Sequence, residues 1–341
     1  MKRSTRKVLK FVIIKRLYSF YIVLSALISH IFITFVALKR NYIRLMRHFT
    51  VFTFLFLLTL PLVCNAQRKR AFLVGISKYH ANGRTAWTNI HGKEDVDLLT
   101  PVLIEKGFAV RTIVNEDATY QGITSALSDF IRETRAGDIV YLHFSCHGQP
   151  VEDGLKKDTI DEADHWDESI VPIDAGNKYL INGYKGEKHL TDDELNSYFI
   201  VLRKKIKTKG VLYVAMDACH AGNMEREGLE PSIRGTNEAL TSNANTKYNP
   251  PKSNINHFPI KPGNNLAPTL FFEACRSDQR NTEIRIGGKE YGALSYNIVQ
   301  ALKSMTSFKR NAKEFEDNVK KSTAQPGHWH RTQTLVTESS F

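Results

Sequence analysis

The sequence predicts an α/β fold built around a parallel sheet. From Ala71 onward, short apolar runs alternate with amphipathic stretches in the order strand, helix, strand, helix, strand. Such runs are typical of strands buried on both faces, and the alternation favours right-handed crossovers between parallel strands. Two of the runs end abruptly in small and polar residues, at 145–148 and at 217–222. Because sites of open parallel sheets form at the carboxyl ends of strands, we expect functional residues there.

The remaining elements follow from periodicity and from helix-stop signals. Strands are predicted over residues 71–76, 108–114, 138–145, 169–174, 211–216, 269–275 and 333–338. Helices are predicted over residues 94–106, 119–135, 191–205 and 293–303. Thr119 and either Thr191 or Asp192 are suitable caps, Gly107 stops the first helix, and Pro101 is expected to kink it.

The charge of the chain is concentrated at its start. The formal net charge is +12, but eleven of the 47 Lys and Arg residues lie in residues 1–66, which contain no Asp or Glu. The remainder has 36 basic against 35 acidic side chains. A globular part without an overall basic field predicts no nucleic-acid binding.

Residues 1–66 contain two apolar runs. Residues 17–38 are long enough to span a bilayer, so we treat residues 1–45 as an upstream extension or a membrane segment. Residues 46–66 have the basic start, apolar middle and small final residue of a signal peptide, with cleavage expected after Ala66 and translation expected to start at Met46. A secreted or periplasmic domain is predicted, and membrane anchoring through the N-terminal segment is the alternative.

The domain itself is expected over residues 70–341. Residues 223–268 interrupt it, because they are rich in Asn and Pro and poor in apolar residues. Such a stretch buries little surface, so we predict a flexible insert.

Cysteine and histidine at the two strand ends indicate nucleophilic chemistry. The four cysteines lack CxxC spacing, which argues against a zinc site and leaves room for a reactive thiol. A thiol attacks a carbonyl as the thiolate, and an imidazole can hold its proton. We therefore expect Cys219 as nucleophile and His147 as base, with the backbone N–H groups of Gly148 and Cys219 stabilising the oxyanion.

The same stretches carry a family resemblance. Residues 145–148 (SCHG) resemble the Ser-Gly-His-Gly motif of the caspase/metacaspase superfamily, and residues 217–222 (DACHAG) resemble the metacaspase Asp-Ser-Cys-His-Ser-Gly. The resemblance covers roughly residues 70–341. It implies a caspase-like three-layer α/β/α sandwich with a mainly parallel six-stranded sheet, and peptide-bond hydrolysis by His147 and Cys219. Cys146 departs from the motif by replacing Gly.

The resemblance also implies a substrate class. Caspases have Gln two residues before the Cys, whereas this chain has Asp217, similar to metacaspases, which cut after Arg or Lys. A buried carboxylate binds a guanidinium well, so we expect protein or peptide substrates with a basic P1 residue. Asp95 and Ser145 lie where metacaspases place other pocket residues, and Asp278 is a further candidate.

No cofactor is required by this chemistry, but some metacaspases bind calcium. Asp167, Asp192 and Asp193 resemble ligands of that Ca²⁺ site, while Arg226 stands at a position that is often acidic. The ordinary interpretation of Asp192 and Asp193 is a helix start. An exposed basic residue in the insert is also a candidate for self-cleavage; the candidates are Arg226, Arg234, Lys247 and Lys252.

Two alternatives to a peptidase remain open. A catalytically silent caspase-like module could serve for binding or as a scaffold, and a thiol hydrolase could act on non-peptide amides. Cys219 alone is compatible with core packing; it is the paired His147 motif that favours an enzyme.

Overall fold

The computed structural model describes residues 2–59, 67–79, 87–155, 165–219, 232–236, 238–243, 245–250, 260, 262–308 and 310–341. The chain divides into two compact units, residues 1–66 and residues 67–341. In the first unit a single helix, α1, covers Lys2–Thr59. Its segment Lys15–Arg40 has a mean hydropathy of 2.2 and is long and apolar enough to cross a membrane, a test that an N-terminal signal sequence also passes. The predicted cut after Ala66 lies outside the described residues.

The second unit contains eleven strands and five helices in its described residues. The strands are β1 Lys69–Gly75, β2 Phe108–Val114, β3 Ile139–Ser145, β4 His147–Glu152, β5 Trp166–Val171, β6 Leu190–Thr191, β7 Val211–Asp217, β8 Thr269–Glu273, β9 Ile284–Ile286, β10 Lys289–Tyr291 and β11 Val336–Ser339. The helices are α2 Gly92–Glu105, α3 Tyr120–Glu133, α4 Asp192–Ile206, α5 Ala293–Ser304 and α6 Ala312–Thr323.

Six strands form the main sheet, in the order β11-β8-β7-β3-β1-β2. Neighbouring strands from β8 to β2 are parallel, and β11 is antiparallel to β8. This confirms the predicted mainly parallel six-stranded sheet. The register pairs Ser145 with Asp217 at the carboxyl ends of β3 and β7, so two of the predicted pocket residues are neighbours there.

Helices cover both faces of this sheet, because successive strand residues point to opposite sides. On β3, Val140, Leu142 and Phe144 belong to the core shared with α3 and α4. Ile139 and Tyr141 belong to the opposite core, shared with α2, α5 and α6. The predicted three-layer α/β/α sandwich is therefore confirmed.

A second, three-stranded sheet places His147. It has the order β4-β5-β6, is antiparallel, and pairs His147 with Val171 and Ser169 with Thr191. The sequence did not predict β4, because its residues (HGQPVE) include Pro and polar side chains. Pairing with β5 buries these residues. Because this pairing joins two separate stretches of the chain, it leaves no periodic pattern in the sequence of β4 itself.

Other differences from the predicted elements are small. The strand predicted at 169–174 lies at 166–171, and the last strand begins at Val336 rather than at residue 333. Helix α2 continues through Pro101. Helix α6 and the hairpin β9–β10 were not predicted. α6 is amphipathic, but Phe315 and Val319 are the only large apolar side chains that it buries.

Candidate active site

The thiol of Cys219 lies just beyond the end of β7. The residue is almost fully buried, and its Sγ donates a hydrogen bond to the carbonyl oxygen of Gln279 at 2.9 Å. The sulfur of Cys275 lies 3.5 Å from it, and its hydrogen bond to Cys219, followed by burial, raises the pKa of the Cys275 thiol. Cys275 is buried, as expected of a core residue, but its direct contact with Cys219 was not foreseen.

The imidazole of His147 begins β4 and is fully buried. Its ring stacks on Trp87, with centroids 5.0 Å apart, and contacts Tyr79 at 4.8 Å. Nε2 lies 2.8 Å from the carbonyl oxygen of Thr88, which can only accept, so Nε2 carries the proton. Nδ1 is buried without a partner among the described residues. Burial lowers the pKa of His147 to about 4, so the ring is a neutral base with Nδ1 available.

One carbonyl oxygen joins the two halves of the site. The oxygen of Arg234 accepts hydrogen bonds from the N–H of Cys219 at 3.0 Å and from the N–H of Gly148 at 3.3 Å. These are the two N–H groups that the sequence predicted as oxyanion donors. Because Gly148 follows His147, the structure brings His147 and Cys219 to the same peptide group, although they are far apart along the chain.

The side chain of Arg234 enters an acidic pocket formed by Asp95, Ser145, Asp217 and Glu283. Its guanidinium is fully buried, with Nη2 2.8 Å from Asp95 Oδ2 and 2.9 Å from Glu283 Oε1, and Nη1 3.8 Å from Asp217 Oδ1. Nη1 also donates to Ser145 Oγ, which in turn donates to Asp95 Oδ2 at 2.6 Å. The structure thus gathers Asp95, Ser145 and Asp217, three of the four predicted pocket residues, around one cation.

The carboxylate of Asp217 is held at the N-terminus of α5. It accepts hydrogen bonds from the N–H and Oγ of Ser295 at 2.8 and 2.6 Å and from Asn281 Nδ2 at 2.7 Å. Burial acts to raise the pKa of Asp217, but Arg234 and these donors more than offset it and keep the pKa below its usual value. Asp217 is therefore ionised and fixed in orientation.

Asp95 experiences the same charges with fewer donors. It accepts from the N–H of Gly292 at 3.0 Å, and burial raises its pKa to about 7 against the effect of Arg234. The nearby Asp217 and Glu283 carboxylates raise the pKa further. The acidic pocket thus places three carboxyl groups, those of Asp95, Asp217 and Glu283, around the single guanidinium of Arg234.

Glu283 is the pocket residue that the sequence did not reveal. Its carboxylate accepts from the backbone N–H of His91 at 2.8 Å and lies 2.6 Å from His91 Nδ1. His91, Glu283 and Glu290 have ligand atoms within 4.8 Å of one another, a spacing compatible with a metal. However, the hydrogen bond to Glu283 raises the pKa of His91, which favours an ion pair over a metal ligand.

Asp278, the fourth predicted pocket residue, forms a salt bridge with its neighbour Arg276. Its Oδ1 accepts from Arg276 Nε at 3.1 Å. Among the described residues it is not one of those that contact Arg234, and a role of Asp278 in substrate binding stays a prediction. The local salt bridge with Arg276 accounts for its charge.

The predicted calcium ligands lie where β5 meets the start of α4. Asp167 is on β5 and fully buried, Asp192 is the first residue of α4, and Asp193 follows in its first turn. Asp192 Oδ1 accepts from the N–H of Glu168 at 3.2 Å, which ties the two elements together. Carboxylates from two elements suit Ca²⁺, although Asp192 and Asp193 also suit the positive end of the helix dipole.

A buried hydrogen-bond chain runs from Asp217 into the sheet. Ser295 Oγ donates to Asp217, so it accepts from His143 Nε2, 2.9 Å away. His143 Nδ1 then accepts from the hydroxyl of Tyr141, also at 2.9 Å. Burial lowers the pKa of His143 to about 4, in agreement with a neutral ring in this chain of donors.

Comparison with known proteins identifies the class of this fold and site. A family model described as the caspase domain matches residues 68–337, and the chain belongs to that family. Metacaspase-1 of Lodderomyces elongisporus is 26% identical over 280 residues, which cover 70% of this chain and 58% of that protein. Metacaspase-1B of Neurospora crassa is 24% identical over 278 residues, which cover 70% of this chain and 60% of that protein.

The match thus spans less than two thirds of these relatives' own lengths. A crystal structure of protein GSU0716 from Geobacter sulfurreducens is similar with a TM-score of 0.53 and 19% identity, covering 80% of this chain and 93% of that one. This likeness shows the fold alone. The family that the two motifs indicated is therefore confirmed.

The neutral state of His143 predicts a pH dependence of stability. Unfolded His has a pKa of about 6.5 and His143 in the fold one of about 4, so between these values the unfolded chain binds the extra proton. The free energy of unfolding should therefore fall as pH decreases from about 6.5 to 4, by up to ~1.4 kcal/mol per pH unit from this residue.

Urea unfolding of the full chain at several pH values measures this slope. His143→Gln, which keeps a donor and an acceptor, should reduce the slope by about one proton. The exposed His330→Gln serves as control and should leave the slope unchanged. Equal slopes for wild type and His143→Gln would contradict the assignment of a neutral His143.

Proposed function

We propose that this chain is a cysteine endopeptidase that cleaves peptide bonds after Arg or Lys. Membership of the caspase domain family supports cysteine peptidase chemistry. The observation that carries the proposal is the position of Arg234. Its guanidinium fills the acidic pocket while its carbonyl oxygen meets the N–H groups of Gly148 and Cys219. A basic P1 residue in that position would present its carbonyl carbon to the thiol.

The proposed reaction begins with proton transfer from the Cys219 thiol to His147 Nδ1. The thiolate attacks the carbonyl carbon of the P1 residue, and the two N–H groups stabilise the oxyanion. His147 then gives its proton to the leaving amine. The bond from Nε2 to the Thr88 carbonyl and the stacking on Trp87 support this role, because they hold the ring with Nδ1 unprotonated.

The acidic pocket accounts for the proposed P1 preference. Arg can contact Asp95 and Glu283 through one nitrogen and Ser145 through the other, as Arg234 does. Lys has a single charged nitrogen, so we expect it to bind more weakly. An Asp side chain at P1 would bring a further negative charge among three carboxylates and should be rejected.

Hydrolysis of fluorogenic peptides that end in Arg, Lys or Asp tests this specificity with the purified full chain. We expect faster hydrolysis after Arg than after Lys, and no measurable cleavage after Asp.

Cys219→Ala should abolish hydrolysis, while the matched control Cys146→Ala, another buried cysteine at the same edge of the sheet, should retain it. Asp95→Asn should lower kcat/KM for the Arg peptide by tenfold or more, because it removes a partner of the guanidinium.

The alternatives predict other results. Preference for Asp would overturn the specificity. Binding of Arg peptides without hydrolysis in every variant would favour the catalytically silent scaffold. Hydrolysis of simple amides with no cleavage of any peptide in a library would favour a thiol hydrolase of another class.

We also propose that calcium acts as an activator and not as a participant in the chemistry. Asp192 accepts a hydrogen bond from the N–H of Glu168, the residue after Asp167 on β5, and this junction of β5 with α4 supports the proposal, since oxygen ligands from several elements suit Ca²⁺. The same small sheet contains β4, so a cation there would bear on the position of His147.

Peptide hydrolysis with added Ca²⁺ or with a chelator checks the calcium proposal. Ca²⁺ should raise the rate severalfold, and Asp167→Asn should lose the response while it keeps the calcium-free rate. Identical rates with Ca²⁺ and with chelator would refute activation.

The N-terminal unit supports a proposal about location. An apolar helix near the start of the chain is compatible with a signal peptide or an anchor, and we propose export of the domain with removal of residues up to Ala66. N-terminal sequencing of the native protein should give Gln67 as the first residue. Retention of residues 17–38 would instead indicate a membrane anchor.

A further inference from the structure

The end of the domain opposite the candidate active site is basic. β3 and β7 end at Ser145 and Asp217, next to the acidic pocket. Each of these strands has 7 residues, which at about 3.3 Å per residue separates its two ends by roughly 20 Å. The loops at the amino ends of the strands carry a group of Lys and Arg residues. We call this group the basic face, and it consists of Arg135, Lys204, Lys205, Lys207, Lys209 and Arg310.

Hydrogen bonds join the parts of the chain that form the basic face. Lys205 Nζ, at the end of α4, donates to the carbonyl oxygen of Arg132 at the end of α3, 2.6 Å away. Arg310, just before α6, donates from Nη2 to the carbonyl oxygen of Thr208. The loops that follow α3 and α4 and the segment that precedes α6 are therefore neighbours, and their basic residues share one surface.

The positive charge of the basic face is exposed and not compensated locally. Five of the six side chains are exposed and Lys205 is half-buried. Among the residues that the structure describes, none of the six forms a salt bridge, because the carboxylates of α3 and of the loop after it pair with other bases. These pairs are Asp129 with Arg132, Glu133 with Arg70 and Arg111, and Asp138 with Arg68. Residues 67–341 have 36 basic against 35 acidic side chains, so this local excess reflects a separation of charge between the two ends of the domain.

Helix dipoles explain only part of the basic face. Cations in the last turn of a helix stabilise its negative end, which accounts for Lys204 and Lys205 at the end of α4. Lys207 and Lys209 lie beyond that helix, in the loop before β7. Arg310 lies before the N-terminus of α6, where the helix dipole disfavours a cation. These three bases therefore need another explanation.

The backbone of Lys207 is strained. Its φ is 57° and its ψ −178°, a combination that is found almost only at glycine. A lysine at this position costs stability that a glycine would not. Strain of this kind is typical of residues that serve a function, which points to a use for the Lys207 charge outside the fold.

The chain enters the domain at the basic face. Gln67 is the first residue of the second unit, and its Nε2 donates to the carbonyl oxygen of Lys209 at 3.1 Å. Gln67 is also the residue that follows the proposed signal-peptide cut after Ala66. A signal peptide that ends at Ala66 delivers Gln67 to the surface of a membrane, and the basic face arrives there with it.

We propose that the basic face is a docking surface for a membrane that contains anionic phospholipids. Each Lys or Arg close to such a surface strengthens binding roughly fivefold, and the attraction requires no pocket, which suits a face made of loops. The acidic pocket lies at the other end of the sheet, so docking turns the candidate active site away from the lipid and towards soluble proteins. The basic face shares no residue with the candidate active site, so this proposal does not depend on the peptidase.

Vesicle binding by residues 67–341 tests the docking surface. Both hydrophobic cores lie entirely within these residues, so this form contains the whole folded domain without the apolar helix α1. We expect it to sediment with phosphatidylcholine vesicles that contain about one third phosphatidylglycerol, and not with phosphatidylcholine alone. About 1 M salt should release it, because the charges are then screened over ~3 Å. Equal binding to both kinds of vesicle would contradict an electrostatic docking surface.

Two variants with the same net charge show whether the basic face is responsible. The first is Lys204→Gln/Lys207→Gln/Lys209→Gln. The control changes exposed lysines outside the basic face, Lys185→Gln/Lys247→Gln/Lys289→Gln. The first variant should bind phosphatidylglycerol vesicles about a hundredfold more weakly than wild type, since each lysine contributes roughly fivefold, and the control should bind as wild type does. Equal loss in both variants, or no loss in the first, would overturn the proposal.

Lys207→Gly separates membrane binding from folding. Glycine relieves the backbone, so the urea midpoint of unfolding should be unchanged or higher, while vesicle binding should weaken roughly fivefold. A lower urea midpoint with normal vesicle binding would show that Lys207 serves the fold and would count against the proposal.

Two further measurements separate this proposal from its competitors. Double-stranded DNA is offered at the same salt concentration, and tighter binding to DNA than to phosphatidylglycerol vesicles would identify a nucleic-acid surface instead. Peptide hydrolysis is measured on the same samples. Vesicle binding without hydrolysis of any peptide would keep the docking surface and remove the peptidase, and hydrolysis without vesicle binding would do the reverse.

Discussion

The buried guanidinium of Arg234 is the interaction on which the geometry of the site depends. It neutralises part of the charge of Asp95, Asp217 and Glu283, which lie on three separate parts of the chain. Removing one partner of a buried ion pair typically costs about 3–5 kcal/mol, because the other charge is left uncompensated. The three carboxyl groups of the acidic pocket therefore require a cation, and the side chain of Arg234 provides it.

The parallel sheet determines where the acidic pocket lies. β3 and β7 run side by side in register and end together, so Ser145 and Asp217 face the same cleft. The next residues along each strand lead directly to His147 and Cys219. The antiparallel sheet of β4, β5 and β6 then turns His147 and Gly148 towards the nucleophile, and aromatic contacts with Tyr79 and Trp87 fix the imidazole.

Much of this arrangement was accessible from the sequence. Continuous apolar runs predicted the buried strands. The abrupt polar ends of β3 and β7 predicted His147 and Cys219, together with the N–H groups of Gly148 and Cys219. The position of Glu283 and the burial of Arg234 were not accessible. The positions of Glu283 and Arg234 depend on backbone hydrogen bonds between residues that are distant in sequence. The Asn- and Pro-rich composition around Arg234 predicted an exposed, flexible segment instead. The salt bridge of Asp278 with Arg276 was not accessible either, because it depends on side-chain conformation.

Asp217 and Cys219 share one stretch of backbone, two residues apart at the end of β7. In extended chain that separation is only about 6.6 Å. A displacement of the carboxylate that recognises a side chain would therefore also displace the sulfur that attacks the neighbouring carbonyl. Asp95, Ser145 and Glu283 lie on other parts of the chain, so an exchange of one of these side chains leaves the backbone of the nucleophile in place.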